Sequence, residues 1–158
     1  MEDDNHYKIN HTIVSPNDKP SVPVPAATVL LVRDNNEKIE VFMLKRASRT
    51  NFGGAWVFPG GKLDANDGLK DIADICFGLD DKAASTKLDI QEGGIHYWIA
   101  CIRECFEESG ILLAYRANGE LVSDTSEEEG KLINQYRKKL LNGESVFLDM
   151  MKELNMQL

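Results

Sequence analysis

Arg103, Glu104, Glu107 and Glu108 fall within one short stretch, Arg103-Glu104-Cys105-Phe106-Glu107-Glu108-Ser109-Gly110. On a helix, Glu104 and Glu108 are one turn apart on the same face, and Glu107 lies beside them at the three-residue spacing. Three carboxylates on one turn repel each other unless something neutralises them, and a hard divalent cation with oxygen ligands would do so. A run of glutamates on an amphipathic helix is ordinarily a solvated face, so this stretch needs context before it reads as a metal site. Arg103 and Glu107 form a further four-residue pair, in which the guanidinium orients a carboxylate.

The context lies upstream, in the loop Phe58-Pro59-Gly60-Gly61-Lys62-Leu63-Asp64. Gly60 and Gly61 permit backbone conformations that a side chain forbids, including close approach to a phosphate. A glycine pair after a proline is also an ordinary turn. Arg46 and Arg49 precede this loop in a segment, 46–55, that carries a second glycine pair. They read as solvated surface charges or as partners for a phosphate.

Together the two stretches resemble the halves of the sequence box of the Nudix hydrolase superfamily, Mg²⁺- or Mn²⁺-dependent enzymes that cleave a diphosphate linked to another group X. In the family box a Gly is followed, after five residues, by a Glu, and the Arg-Glu pair comes seven residues later. Here five residues lead from Gly61 to Asp67, an acid in place of Glu, and 35 residues then separate Asp67 from Arg103. An interrupted box behind Phe-Pro-Gly-Gly resembles the branch of the peroxisomal coenzyme A diphosphatases and their bacterial relatives. Arg46-Ala47 matches an Arg followed by a small residue in that branch. The resemblance covers residues 26 to 115 or so.

It implies Glu104, Glu107 and Glu108 as metal ligands for Mg²⁺ or Mn²⁺, and catalytic roles for Glu104, Arg103 and Glu108, with Glu104 as the candidate base. It implies Arg46, Gly60 and Gly61 as substrate-binding residues. The substrate is then a small-molecule diphosphate, coenzyme A or an acyl-coenzyme A before nucleoside diphosphate sugars and dinucleotides. The implied fold is α/β (α+β), a mixed sheet sandwiched between helices. Several strands of that fold follow the box, whereas this chain offers one strand after Gly110 and then two helices. The Nudix-like architecture is therefore expected to be incomplete, or truncated, on its C-terminal side, which carries a risk of either self-association into a homo-oligomer or instability. The alternative is a truncated, non-catalytic Nudix-like module that binds a nucleotide or a partner chain.

The elements that must position these residues follow from patterning. Ile95, Trp98, Ile99, Ile102 and Phe106 recur at helical spacing, so the acid-bearing helix has an apolar stripe that can lie on a sheet, with Gly110 as its stop. Residues 1–25 are polar and then proline-rich, an extended N-terminal arm; residues 26–158 form the domain. Ala26–Val32 is expected to be a buried strand, paired through a loop of five residues with a strand over 39–45. Trp56–Phe58 is a short strand broken by Pro59. An insertion spans 68–94 or so: Leu69, Ile72, Ile75, Cys76 and Leu79 predict a short amphipathic helix, and Lys82–Leu88 a second. It reads as a lid, a specificity element or packing decoration. Ile111–Tyr115 is expected to be a strand that Leu121-Val122 pairs back upon. Thr125 with Glu128 suggests a capping box opening a helix over 127–141, and Ser145 a cap for a last helix over 146–154.

At 158 residues the chain is one domain, with 42% hydrophobic and 28% charged residues and a net charge of −8. That balance argues against a nucleic acid duplex or a membrane surface as partner. Three cysteines, Cys76, Cys101 and Cys105, lack metal-ligand spacing and suit a reducing compartment. The acidic N-terminus has no basic or apolar leader run, and the last residues do not resemble a peroxisomal address. The expected location is cytoplasmic.

Overall fold

In the computed structural model, which describes residues 22–47, 53–68 and 70–158, the helix carrying the acids is the longest element. Most of the expected N-terminal arm, together with Arg49 and Leu69, lies outside the described residues. In chain order the elements are β1 (Ala26–Thr28), β2 (Val32–Asn35), β3 (Lys38–Val41), β4 (Leu44–Lys45), β5 (Trp56–Val57) and β6 (Gly60–Lys62). A 3₁₀ turn (Ala65–Gly68) and the helices α1 (Lys70–Ala73), α2 (Asp81–Leu88) and α3 (Gly94–Ser109) follow. The last elements are β7 (Tyr115–Arg116), α4 (Glu127–Leu141), α5 (Phe147–Glu153) and β8 (Met156–Gln157).

The strands form four antiparallel two-stranded ladders, β1–β6, β2–β3, β4–β5 and β7–β8, set among helices. The β2–β3 hairpin turns on two residues, Asn36-Glu37, rather than the five expected, because Asn36 adopts a left-handed φ of 58°. The apolar run 26–32 is split between β1 and β2 instead of forming one buried strand, and Val32 remains 62% exposed.

The apolar stripe of α3 packs mainly on helices, with strand β8 contributing Met156. Phe106 is fully buried with Tyr136 and Leu140 of α4, Phe147, Met150 and Met151 of α5, and Met156 of β8. Burial of a side chain of this size contributes about 1.5–3 kcal/mol. Ile95 and Ile99 form a second cluster with Ile72 and Ala84, from α1 and α2. The reason is composition: the insertion and the C-terminal helices carry the apolar side chains, whereas β6 is Gly60-Gly61-Lys62 and can only meet the polar side of α3.

Further differences have local causes. The helix read over the first part of the insertion stops at Ala73, because Phe77 N–H donates to the Leu158 carbonyl and Leu158 N–H to the Ile75 carbonyl, drawing that segment into extended pairing. Of the strand expected over 111–115 only Tyr115 enters a ladder, together with Arg116 beyond it, and the partner is β8, which had no strand signature of its own. Tyr115 does bridge Leu121. Ser126, not Thr125, caps α4, its Oγ accepting from Glu129 N–H at 3.2 Å. Ser145 does not cap α5; its Oγ accepts from Asn66 Nδ2 at 2.8 Å.

Candidate active site

α3 is held at its N-terminus by the insertion. Gly93, at the cap position, has no side chain to offer; Asp81 of α2 supplies the carboxylate, accepting from Gly93 N–H and Ile95 N–H at 3.1 Å each. Those two bonds, Ile95's first, hold the Asp81 carboxyl below its ordinary pKa. Gly94 N–H donates to Ser85 Oγ at 2.8 Å, and a Cβ on Gly94 would stand 2.2 Å from Ser85 N. The close approach of α2 to α3 thus requires glycine at 94.

The polar side of α3 meets β6. Gly60 N–H donates to Glu108 Oε2 at 3.1 Å. A Cβ on Gly61 would lie 2.4 Å from Glu104 Cδ, so the missing side chain is where the Glu104 carboxylate sits. A Cβ on Gly60 would lie 2.4 Å from the Ala27 carbonyl oxygen of the paired strand. The two loop glycines and two of the three acids therefore come together.

Arg103 ties the two halves of the motif. Its Nε and Nη2 donate to the Asp67 carboxylate at 2.8 and 3.0 Å, and Nη2 also reaches the Lys62 carbonyl at 3.1 Å. Nη1 lies 3.0 Å from Glu104 Oε1 and 3.6 Å from Glu107 Oε2. Asp67, 1% exposed, also accepts from Asp64 N–H at 2.7 Å. Burial works against the guanidinium's charge, but the Asp67 pair, with Glu104 behind it, raises the Arg103 pKa above its ordinary value. The aspartate that departs from the family's glutamate is fully engaged.

Glu107 has the opposite balance. Burial and then the Glu104 charge push its pKa up, Arg103 offsets only part of this, and Glu108 adds to the rise. The Asn66 backbone N–H holds the Asp64 carboxyl low, against the effect of burial. Asp64, Asn66, Arg103, Glu104 and Glu107 border a cavity of about 310 Å³ whose far wall is the α4–α5 junction, with Ser145, Leu148 and Asp149. Three acids on one turn supply the oxygen donors that a hard divalent cation takes, although among the described residues no three of them are gathered into a group arranged to hold one.

Arg46 lies just beyond β4, at the end of the β4–β5 ladder and not of the β1–β6 ladder that carries Gly60 and Gly61. Its N–H donates to the Ala55 carbonyl at 2.9 Å and its carbonyl accepts from Gly54 N–H at 3.0 Å. Asp81 and Ser85 were not singled out from sequence, since a cap contributed from another helix leaves no local spacing to read.

No family model matches the chain. Among curated proteins it is similar to an acyl-coenzyme A diphosphatase, NUDT19, of Xenopus laevis, at 30% identity over 149 residues, covering 77% of this chain and 39% of that protein. The chain thus spans well under half the length of this relative. Among solved structures it is similar to a NUDIX hydrolase from Alicyclobacillus acidocaldarius, with a TM-score of 0.64 and 22% identity over 88% of this chain and 58% of that one. The structural likeness shows the fold, and the sequence likeness extends through both halves of the chain's interrupted motif. On these grounds the chain has the fold of a NUDIX hydrolase and resembles, over most of its own length, an acyl-coenzyme A diphosphatase.

Proposed function

We propose that the chain hydrolyses the diphosphate linkage of a nucleoside diphosphate-X substrate with the help of a divalent cation, and that coenzyme A or an acyl-coenzyme A is the substrate class. The observation that carries the reading is the seating of the Glu104–Glu108 turn against Gly60-Gly61, which brings the acids of one half of the motif onto the backbone of the other. The substrate class is supported by the name of the curated relative.

Glu104, Glu107 and Glu108 would hold Mg²⁺ or Mn²⁺. When bound, such an ion polarises a phosphoryl oxygen and acidifies a water molecule. Glu104, steadied by Arg103, accepts the proton that the attacking water loses as its oxygen bonds to phosphorus and the bridging P–O bond breaks. Arg103 acts on the carboxylates and not on substrate, since its donors are spent on Asp67, Glu104 and the Lys62 carbonyl. Gly60 N–H fixes Glu108, and Arg46 meets a substrate phosphate. A cytoplasmic setting is supported by three free cysteines. No helix among the described residues is long and apolar enough to cross a membrane.

One observation favours a second reading, a non-catalytic module that binds a nucleotide or partner: no group of three His, Cys, Asp or Glu among the described residues is arranged to hold a metal ion. The deciding experiment follows product release from coenzyme A esters, ADP-ribose and dinucleotides with Mg²⁺ or Mn²⁺. Metal-dependent turnover that falls on the order of 100-fold or more in Glu108→Gln, with an unchanged melting temperature, is expected. Binding of the same compounds without turnover decides for the second reading.

A further inference from the structure

The last turn of α3 carries both Glu107 and Glu108, and a residue from α4 holds its end. The last carbonyls of a helix have no N–H partner within it; in α3 these belong to Glu107, Glu108 and Ser109, while the Phe106 carbonyl accepts from the capping Gly110 N–H at 2.8 Å. Arg137 Nε donates to the Phe106 and Glu107 carbonyls, and Nη2 to the Glu108 carbonyl, each at 3.0 Å. One planar guanidinium thus satisfies two of these three and shares the Phe106 carbonyl with Gly110, and its charge sits at the negative end of the helix dipole. Its place is fixed by packing: the neighbouring α4 residues Tyr136 and Leu140 share the core with Phe106. Fraying or rotation of this turn would swing Glu107 and Glu108 together, away from Gly60 and Glu104.

We infer that Arg137 is a positioning residue for the acidic site. It fixes the backbone of the turn that aims Glu107 and Glu108, and so maintains the carboxylate geometry that takes a divalent cation. The inference rests on the metal-dependent reading of the site. A lysine at 137 keeps the charge but lacks the flat fork that spans successive carbonyls.

The test is a Mn²⁺ titration of the metal-free full chain, with free ion followed by electron paramagnetic resonance well below the melting temperature. Wild type is compared with Arg137→Met, Arg137→Lys and Arg116→Met. Arg116 pairs with Glu129 at 2.8 Å near the start of α4, so its loss controls for removal of a structural arginine remote from the acids. Arg137→Met is expected to weaken Mn²⁺ binding by about 10- to 100-fold, with partial recovery in Arg137→Lys. Arg116→Met is expected to lower the melting temperature and bind Mn²⁺ as wild type does. Wild-type affinity in both Arg137 variants, or an equal loss in Arg116→Met, overturns the inference and leaves the metal reading intact. A wild type that takes up no Mn²⁺ saturably overturns the metal reading itself, and this inference with it. Where Arg137→Met does not fold, weaker binding by Arg137→Lys supports the inference and unchanged binding overturns it.

Discussion

Single residues carry this site through contacts that a substitution can address one at a time, and Gly61 is the sharpest case. Its backbone is not in the left-handed region, so alanine there meets no conformational barrier; what it meets is the Glu104 carboxylate. The added methyl would displace a flexible side chain, which costs the fold little, but that side chain is the proposed base. Gly61→Ala is therefore expected to leave the melting temperature within a few degrees of wild type while lowering kcat on the order of 100-fold, the scale of a misplacement of about 1 Å. Parallel melting curves and steady-state assays check both halves. The acids were legible in the sequence because four- and three-residue spacing is a property of the helix itself. The use of Gly61 was legible only as room for something, and the structure shows a carboxylate filling it.

At the scale of elements, the interruption between the motif's halves has a mechanical use: α2 caps α3. The cap is tertiary, from a carboxylate 12 and 14 residues ahead of the amides it serves, which is why sequence reading left the insertion open as lid or decoration. By contrast, the bounds of α4 were readable from periodicity and turn residues alone. Asp81→Asn should cost about 1 kcal/mol, because the amide keeps only one acceptor oxygen where the carboxylate accepts with both. The sign with pH follows from the depressed Asp81 pKa. The carboxylate's contribution is fully present above the unfolded value of about 3.9 and is lost as pH falls through the lower folded value. Urea unfolding of the two proteins should therefore differ by a constant amount above about pH 5 and converge in acid below about pH 4. A difference that persists unchanged to pH 2 would assign the effect to packing instead of the charged cap.

Across the whole molecule, apolar burial and strand pairing have separated. Helices supply the buried residues of one core cluster and, with Ala114 and with Met156 of β8, those of the other, whereas the β2–β3 hairpin leaves every β2 residue exposed, with Val32 at 62% and Ile39 of β3 at 71%. Hydrophobic residues in a strand are ordinarily evidence of a covered sheet, and that is why 26–32 read as buried; what covers a strand is decided by the rest of the fold, which the run itself does not encode. Stability follows burial more closely than hydrogen-bond count, since a ladder open to water exchanges one set of bonds for another. Native-state hydrogen exchange should then divide the molecule. Amides in the middle of α3, around Ile99, Ala100 and Phe106, should open only with global unfolding, whereas those of β2 and β3 should exchange through local opening at much lower free energy. Uniform protection across hairpin and helix would mean that something covers the hairpin in solution. Added Mg²⁺ should slow exchange in the last turn of α3 and at Gly60, leaving β2 and β3 unchanged, because the proposed ligands couple α3 to β6 and not to the hairpin.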